Sequence, residues 1–144
     1  MLSDLATADQ ISRVISQATA PAFLLGAVSA FISVLITRMN RLADRSNALL
    51  AIPDDDSRSA HLKAILPRLS RRAKLMNRAI EFAVISGIFT TALVIVAFLS
   101  AFLRFRHEYG AGLMFVLALI SFAASLITLW REVRSALKDI DFYV

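Results

Sequence analysis

The sequence contains no cysteine among its 144 residues. This absence excludes disulfide bonds, thiolate metal sites and cysteine nucleophiles. Charge is also scarce: 19% of the residues are charged and 58% are hydrophobic. Such a composition excludes intrinsic disorder, which needs low hydrophobicity and high charge. The length predicts a single domain that is unusually apolar.

Charged residues are absent from three long stretches, at 14–37, 82–103 and 109–130. A helix of about 20 residues spans the apolar core of a bilayer. We therefore predict an all-α membrane protein with three transmembrane helices, at 21–37, 79–103 and 111–130. The alternative is a soluble bundle of three buried helices, but the chain has little amphipathic sequence to cover them.

The first 20 residues lack the basic start and the continuous apolar run of a signal peptide. Ile11, Val14, Ile15 and Ala18 fall on one helical face, so segment 1–20 is predicted to be an amphipathic helix at the membrane interface. Pro21 is then expected in the first turn of the first transmembrane helix, where proline is tolerated.

The polar segment 38–78 has apolar residues at three- and four-residue steps in both of its limbs, with a turn sequence (IPDDDSRS) between them. Helices 1 and 2 are therefore expected to extend into the cytoplasm as an antiparallel helical hairpin. Pro67 should either kink the return limb or mark its start. Asp54, Asp55 and Asp56 lack the spacing of a calcium loop, so we expect a solvated turn and no metal site.

Basic residues are concentrated in segment 38–78, which holds ten of the 16 Lys and Arg residues. With this segment and the tail 131–144 inside, 13 basic residues are cytoplasmic and three are outside. The positive-inside rule then predicts the orientation of a multi-pass membrane protein, which we expect in the bacterial inner (plasma) membrane. Its N-terminus lies outside, 104–110 forms a periplasmic loop, and the C-terminus is cytoplasmic. The basic excess is expected to meet anionic lipid headgroups and not nucleic acid.

Charged and amide residues are expected to form a ring at one level just under the membrane. Within it, Glu81 is either an ion-attracting or proton-accepting site or part of a structural salt bridge, with Asn77 and Arg78 within reach on the helix. The facing limb also carries Arg71 and Arg72. The predicted members of the ring are Arg38, Arg41, Asp44, Arg45, Asn77, Arg78, Glu81 and Glu132.

Small hydroxyl residues recur at helical spacing in all three apolar stretches. Such faces let helices approach closely and hydrogen-bond, which is our first expectation, but they can also line a polar pore. Three such faces are more than one protomer needs for its own packing, which predicts a homo-oligomer. The residues are Ser29, Ser33, Ser86, Thr90, Ser121, Ser125 and Thr128.

The sequence has no glycine-rich phosphate loop, no HExxH motif and no plausible catalytic triad. His61 and His107 are expected on opposite sides of the membrane, which excludes a pair of axial haem ligands. We therefore predict no catalytic residue, no metal site and no cofactor, and we do not expect an enzyme.

Three segments carry a family resemblance: 20–49 (APAFLLGAVSAFISVLITRMNRLADRSNAL), 71–80 (RRAKLMNRAI) and 129–137 (LWREVRSAL). In these segments the chain resembles the bacterial membrane proteins of the "domain of unknown function 2721" family. The most specific features are Pro21 and the two arginine-rich runs that follow it. The resemblance implies three membrane helices and no assigned activity.

Two functions therefore remain open. The first is a homo-oligomeric membrane assembly that conducts a small ion through a pore. The second is a structural or accessory membrane protein whose basic cytoplasmic hairpin binds a partner protein or anionic lipid headgroups.

Overall fold

A computed structural model of the chain describes residues 2–53, 60, 62–103 and 108–141. Within these ranges the chain forms three long helices: α1 (Leu2–Leu50), α2 (Leu66–Leu103) and α3 (Glu108–Asp141). Each helix contains a segment long and apolar enough to cross a membrane, namely Ala18–Leu50, Leu66–Ser100 and Tyr109–Leu137. The prediction of an all-helical chain with three apolar helices of membrane-spanning length is confirmed.

Pro21 lies inside α1, and the expectation that it begins a helix is wrong. The backbone is helical from Leu2 to Leu50, so segment 1–20 and the first apolar stretch form one continuous helix. Proline cannot donate the hydrogen bond that an interior helical residue makes to the carbonyl four positions earlier. The hydroxyl of the neighbouring Thr19 donates to the Ile15 carbonyl at 3.1 Å, as an interior helical threonine does.

The bounds of α2 and α3 refine the predicted connections. α2 begins at Leu66, so Pro67 lies in its first turn, where the missing N–H has no helical partner to lose. Pro67 was expected either to kink the return limb or to mark its start, and in the structure it marks the start of α2. α3 begins at Glu108, so residues 108–110 are helical and the predicted loop 104–110 is too long.

Contacts divide the chain into two compact units, each of which takes a part of every helix. The first unit comprises Met1–Phe31 and Ala83–Phe122, and the second comprises Ile32–Phe82 and Ala123–Val144. In the first unit, Phe31 and Phe122 meet edge to face with ring centroids 5.5 Å apart. The core of the second unit includes the buried side chains of Leu35, Leu42 and Met76.

Buried residues recur every seven positions along each helix. Seven residues correspond to nearly two helical turns, so the buried positions of each helix form one narrow stripe, as in left-handed helix packing. Large apolar side chains outside the stripes are exposed, among them Phe23, Ile88 and Ile120. The buried series are Pro21, Val28, Leu35 and Leu42 in α1, Leu69, Met76, Ala83 and Thr90 in α2 alongside Ala79, Ser86 and Leu93, and Ala118, Ser125 and Glu132 in α3.

Candidate functional site

Glu132 is a buried carboxylate that accepts three hydrogen bonds from two arginines in the second unit. Its side chain is 1% exposed. Arg72 of α2 donates to Oε1 from Nε at 3.0 Å and from Nη2 at 2.8 Å, and Arg38 of α1 donates to Oε2 from Nη2 at 3.1 Å. Both carboxylate oxygens therefore have partners, which offsets the large cost of burying a charge.

The helical phase of the three residues explains why they meet. Arg38 lies between Leu35 and Leu42 at steps of three and four, and Arg72 lies between Leu69 and Met76 at the same steps. Glu132 is the third member of the seven-residue series in α3. Each charged residue thus occupies a position on the packing stripe of its own helix, where its side chain can reach the other two helices.

An open cleft of about 350 Å³ in the second unit is lined in part by Arg38, Arg72 and Glu132. Arg41 and Arg45 line it together with Arg38, Arg72 and Glu132, and Leu42 and Met76 supply an apolar wall. The lining holds four guanidinium groups and one carboxylate, so its formal charge is +3. Arg41 and Arg45 are exposed, and neither forms an ion pair with another described residue. We call these five charged residues and the two apolar ones the Glu132 cleft.

The structure brings together only part of the predicted charged ring. Arg38, Arg41, Arg45 and Glu132 gather in the Glu132 cleft. Asp44 and Arg78 are exposed, and no ion pair joins them to another residue in the described part of the chain.

Glu81 is also exposed, and it lies outside the lining of the Glu132 cleft. Its Oε1 accepts a hydrogen bond of 2.7 Å from Nδ2 of Asn77, one turn earlier on α2. Of the two residues expected within reach of Glu81, Asn77 therefore bonds it, whereas Arg78 forms no ion pair with it.

Arg72 is the residue of the site that the predicted ring left out. It provides two of the three hydrogen bonds to Glu132. The helical periodicity of the sequence could have identified it. Arg72 shares a helical face with Leu69 and Met76, whereas Arg71 points about 100° away from that face on an ideal helix. The neighbouring Arg71 is exposed and does not line the cleft.

Two of the predicted hydroxyl residues join neighbouring helices. Ser86 Oγ of α2 donates to the Ala118 carbonyl of α3 at 2.8 Å in the first unit. Ser125 Oγ of α3 donates to the Ala79 carbonyl of α2 at 2.5 Å in the second unit. The small side chains of Ala79 and Ala118, both fully buried, permit this close approach.

The other hydroxyls have more local roles. Thr90, Thr128 and Ser29 each donate to the carbonyl four residues earlier in their own helix. Ser121 is half-buried, while Ser29 and Ser33 are exposed on α1. Ser86 and Ser125 therefore form hydrogen bonds between helices, as expected for packing residues, whereas Ser29 and Ser33 of α1 are exposed on the surface of the chain.

The described residues contain no group of three or more His, Asp or Glu side chains placed to hold a metal ion. Two further predictions concern residues outside the described part of the chain. These are the solvated turn at Asp54, Asp55 and Asp56, and the placement of His61 and His107 on opposite sides of the membrane.

The sequence profile of one protein family matches residues 18–142 of the chain, a stretch that covers nearly all of its length. The chain belongs to the DUF2721 family. This membership confirms the family resemblance of the three sequence segments, and the description of the family is "protein of unknown function". The matched stretch contains every residue of the Glu132 cleft and both interhelical serines. No curated protein and no solved structure matches the chain.

Proposed function

We propose that the chain is a non-enzymatic membrane protein of the bacterial inner membrane whose basic cytoplasmic segment binds anionic lipid headgroups. The observation that carries this proposal is the Glu132 cleft, where four arginines converge and a single carboxylate opposes them. An excess of three positive charges in one cleft attracts anions and disfavours cations.

The position of the cleft along the chain supports a headgroup as the anion. Arg38 directly follows the uncharged stretch 14–37, and Glu132 lies two residues beyond the uncharged stretch 109–130. Basic residues that border an apolar helix lie near the headgroup layer, where each contributes about 1 kcal/mol to the attraction of anionic lipid. The helical backbone of α1 continues past this level to Leu50, so the arginines are presented on a rigid element.

Lipid titration of the detergent-solubilised protein tests this function. We expect native mass spectrometry to show more bound phosphatidylglycerol than phosphatidylcholine at equal added concentrations. The preference should decrease as the ionic strength increases, because salt screens the attraction of exposed charges. Equal binding of the two lipids at low salt would contradict the proposal.

A homo-oligomer, with a pore between its protomers, is the second candidate function. Exposed small residues on the side of α1 away from its buried stripe favour it, namely Gly26, Ser29 and Ser33. A Cβ atom built on Gly26 meets no atom of its own chain within 4 Å. We therefore expect a larger side chain at this position to be tolerated by its own chain and to disturb a contact with another molecule.

The matched variants Gly26→Leu and Ala27→Leu test the oligomer. Ala27 is also exposed but lies about 100° further round the helix. We expect light scattering in mild detergent to give an oligomer for the wild type and for Ala27→Leu, and a monomer for Gly26→Leu. A monomeric wild type would exclude both the oligomer and the pore. If an oligomer forms, ion flux into liposomes is the measurement that decides whether it conducts.

A further inference from the structure

We propose that the Glu132 cleft is a discrete binding site for one phosphate group, with Arg41 and Arg45 as its direct ligands. Arg38 and Arg72 complete the site, and Glu132 holds their guanidinium groups in place. This inference deepens the proposed function, because the phosphate of a lipid headgroup is the ligand that the proposed function supplies. It goes further in stating that a defined set of side chains, and not the basic segment as a whole, binds the anion.

Several N–H donors of the arginines in the cleft form no bond to Glu132 and can bind a ligand. A guanidinium group carries five N–H donors on three nitrogen atoms. Arg38 uses only Nη2 toward Glu132, and Arg72 uses Nε and Nη2. The remaining nitrogens of these two arginines, and all those of Arg41 and Arg45, form no ion pair with another described residue.

The charge balance of the cleft selects an anion. Glu132 can neutralise only one of the four arginines that line the cleft. Guanidinium groups match the geometry of phosphate oxygens and form paired, charge-assisted hydrogen bonds with them. A phosphodiester or a phosphate ion therefore removes part of the remaining positive charge and satisfies several donors at the same time.

Glu132 holds two of the four arginines of the cleft in place before a ligand binds. Its side chain is 1% exposed, and it bonds Arg38 from α1 and Arg72 from α2. Long side chains lose rotamer freedom when they bind a ligand, and holding two of them beforehand lowers that cost. The volume of about 350 Å³ and the apolar wall of Leu42 and Met76 leave room for carbon atoms attached to the phosphate.

Two double variants with the same change in charge test the site. The cleft variant is Arg41→Gln with Arg45→Gln, and the control variant is Arg71→Gln with Arg78→Gln. All four arginines are exposed, and none of them bonds Glu132, so both variants should fold like the wild type. The Arg71 and Arg78 pair lies outside the cleft lining.

The probes are phosphatidylglycerol, followed by native mass spectrometry, and inorganic phosphate, followed by its effect on thermal unfolding in detergent. We expect the cleft variant to weaken binding of the first phosphatidylglycerol molecule by about tenfold or more, and the control variant by about twofold or less. Inorganic phosphate should raise the unfolding temperature of the wild type and the control, but not that of the cleft variant, if the site accepts a free ion. Loss of lipid binding in the cleft variant without any effect of inorganic phosphate identifies the lipid as the source.

The outcomes separate this site from the proposed function. Equal weakening in the two double variants means that charge acts diffusely, which overturns the site but keeps the lipid-binding function. A wild type without preference for phosphatidylglycerol overturns the lipid-binding function, while a phosphate effect that requires Arg41 and Arg45 still supports the site. If neither probe distinguishes the cleft variant from the control, the site is wrong.

Discussion

At the scale of single residues, the two arginines that bond Glu132 are unequal partners. Arg72 donates two hydrogen bonds and its side chain is 18% exposed, whereas Arg38 donates one and is 38% exposed. Both arginines keep part of their surface exposed, whereas Glu132 is buried. The cost of breaking a pair is therefore determined by the carboxylate that is left behind.

Replacing these arginines should give a ranked loss of stability. We expect Arg72→Gln to lower the free energy of unfolding by about 1–3 kcal/mol, since it removes charged donors from a buried acceptor. Arg38→Gln should cost less, because Glu132 then keeps both bonds from Arg72. Unfolding in detergent by heat or by added dodecyl sulfate measures both changes. If Arg38→Gln lowers the free energy of unfolding as much as Arg72→Gln or more, the number of hydrogen bonds to Glu132 does not determine the loss of stability.

At the scale of the helices, the buried stripes of α2 and α3 include several small and hydroxyl residues. α2 contributes Ala79, Ala83 and Ser86, all fully buried, and α3 contributes Ala118 and Ser125. Helices in an apolar solvent gain little from burying more apolar surface, so close approach and hydrogen bonds between helices stabilise the pair instead. The two serine–carbonyl bonds provide such links in each unit.

Removing either serine hydroxyl should have a modest cost. We expect Ser86→Ala and Ser125→Ala each to lower the free energy of unfolding by about 0.6–1.7 kcal/mol. The effect stays modest because the Ala118 and Ala79 carbonyls are helical and keep their backbone bonds. The matched control is Thr91→Ala, because Thr91 is exposed and its hydroxyl donates within its own helix to the Gly87 carbonyl at 2.8 Å.

This control should change the stability by less than about 0.5 kcal/mol. The same unfolding assay compares all three variants. If the control costs as much as the two serine variants, the interhelical bonds contribute nothing specific.

At the scale of the whole molecule, an odd number of predicted spans implies that the two termini lie on opposite sides of a membrane. The basic residues near the ends of α1 and α2 predict which side is cytoplasmic. We expect a reporter fused after Val144 to be active only in its cytoplasmic form, and a reporter inserted at 104–107 to be active only in its periplasmic form. The reverse pattern would contradict the predicted orientation and would place the Glu132 cleft on the outer face.

Helix type and approximate extent could be predicted from the sequence, because they depend on local properties. Uncharged stretches of 22 and 24 residues predict membrane-spanning helices without any knowledge of neighbours. By contrast, the sequence did not predict that α1 continues as one helix through Pro21. A proline favours a helix start by local preference, and packing against other helices can override that preference.

Part of the candidate site was also predictable. The sequence places Arg38 and Glu132 at the border of the apolar stretches, and a carboxylate near this many arginines is expected to pair with one of them. By contrast, Asp44 and Glu81 satisfy the same local rules, yet neither forms an ion pair with another described residue.

The sequence by itself determined the all-helical class, the three apolar helices, the family and the concentration of positive charge in 38–78. Only the tertiary structure decided that Arg72 pairs with Glu132 and that Arg41 and Arg45 share a cleft with them. The reason is physical: composition and spacing act along one helix, whereas an ion pair between helices depends on how each helix is rotated and aligned against the next. A rotation of about 100°, the step from Arg72 to Arg71, is enough to replace the part-buried partner of Glu132 by an exposed arginine.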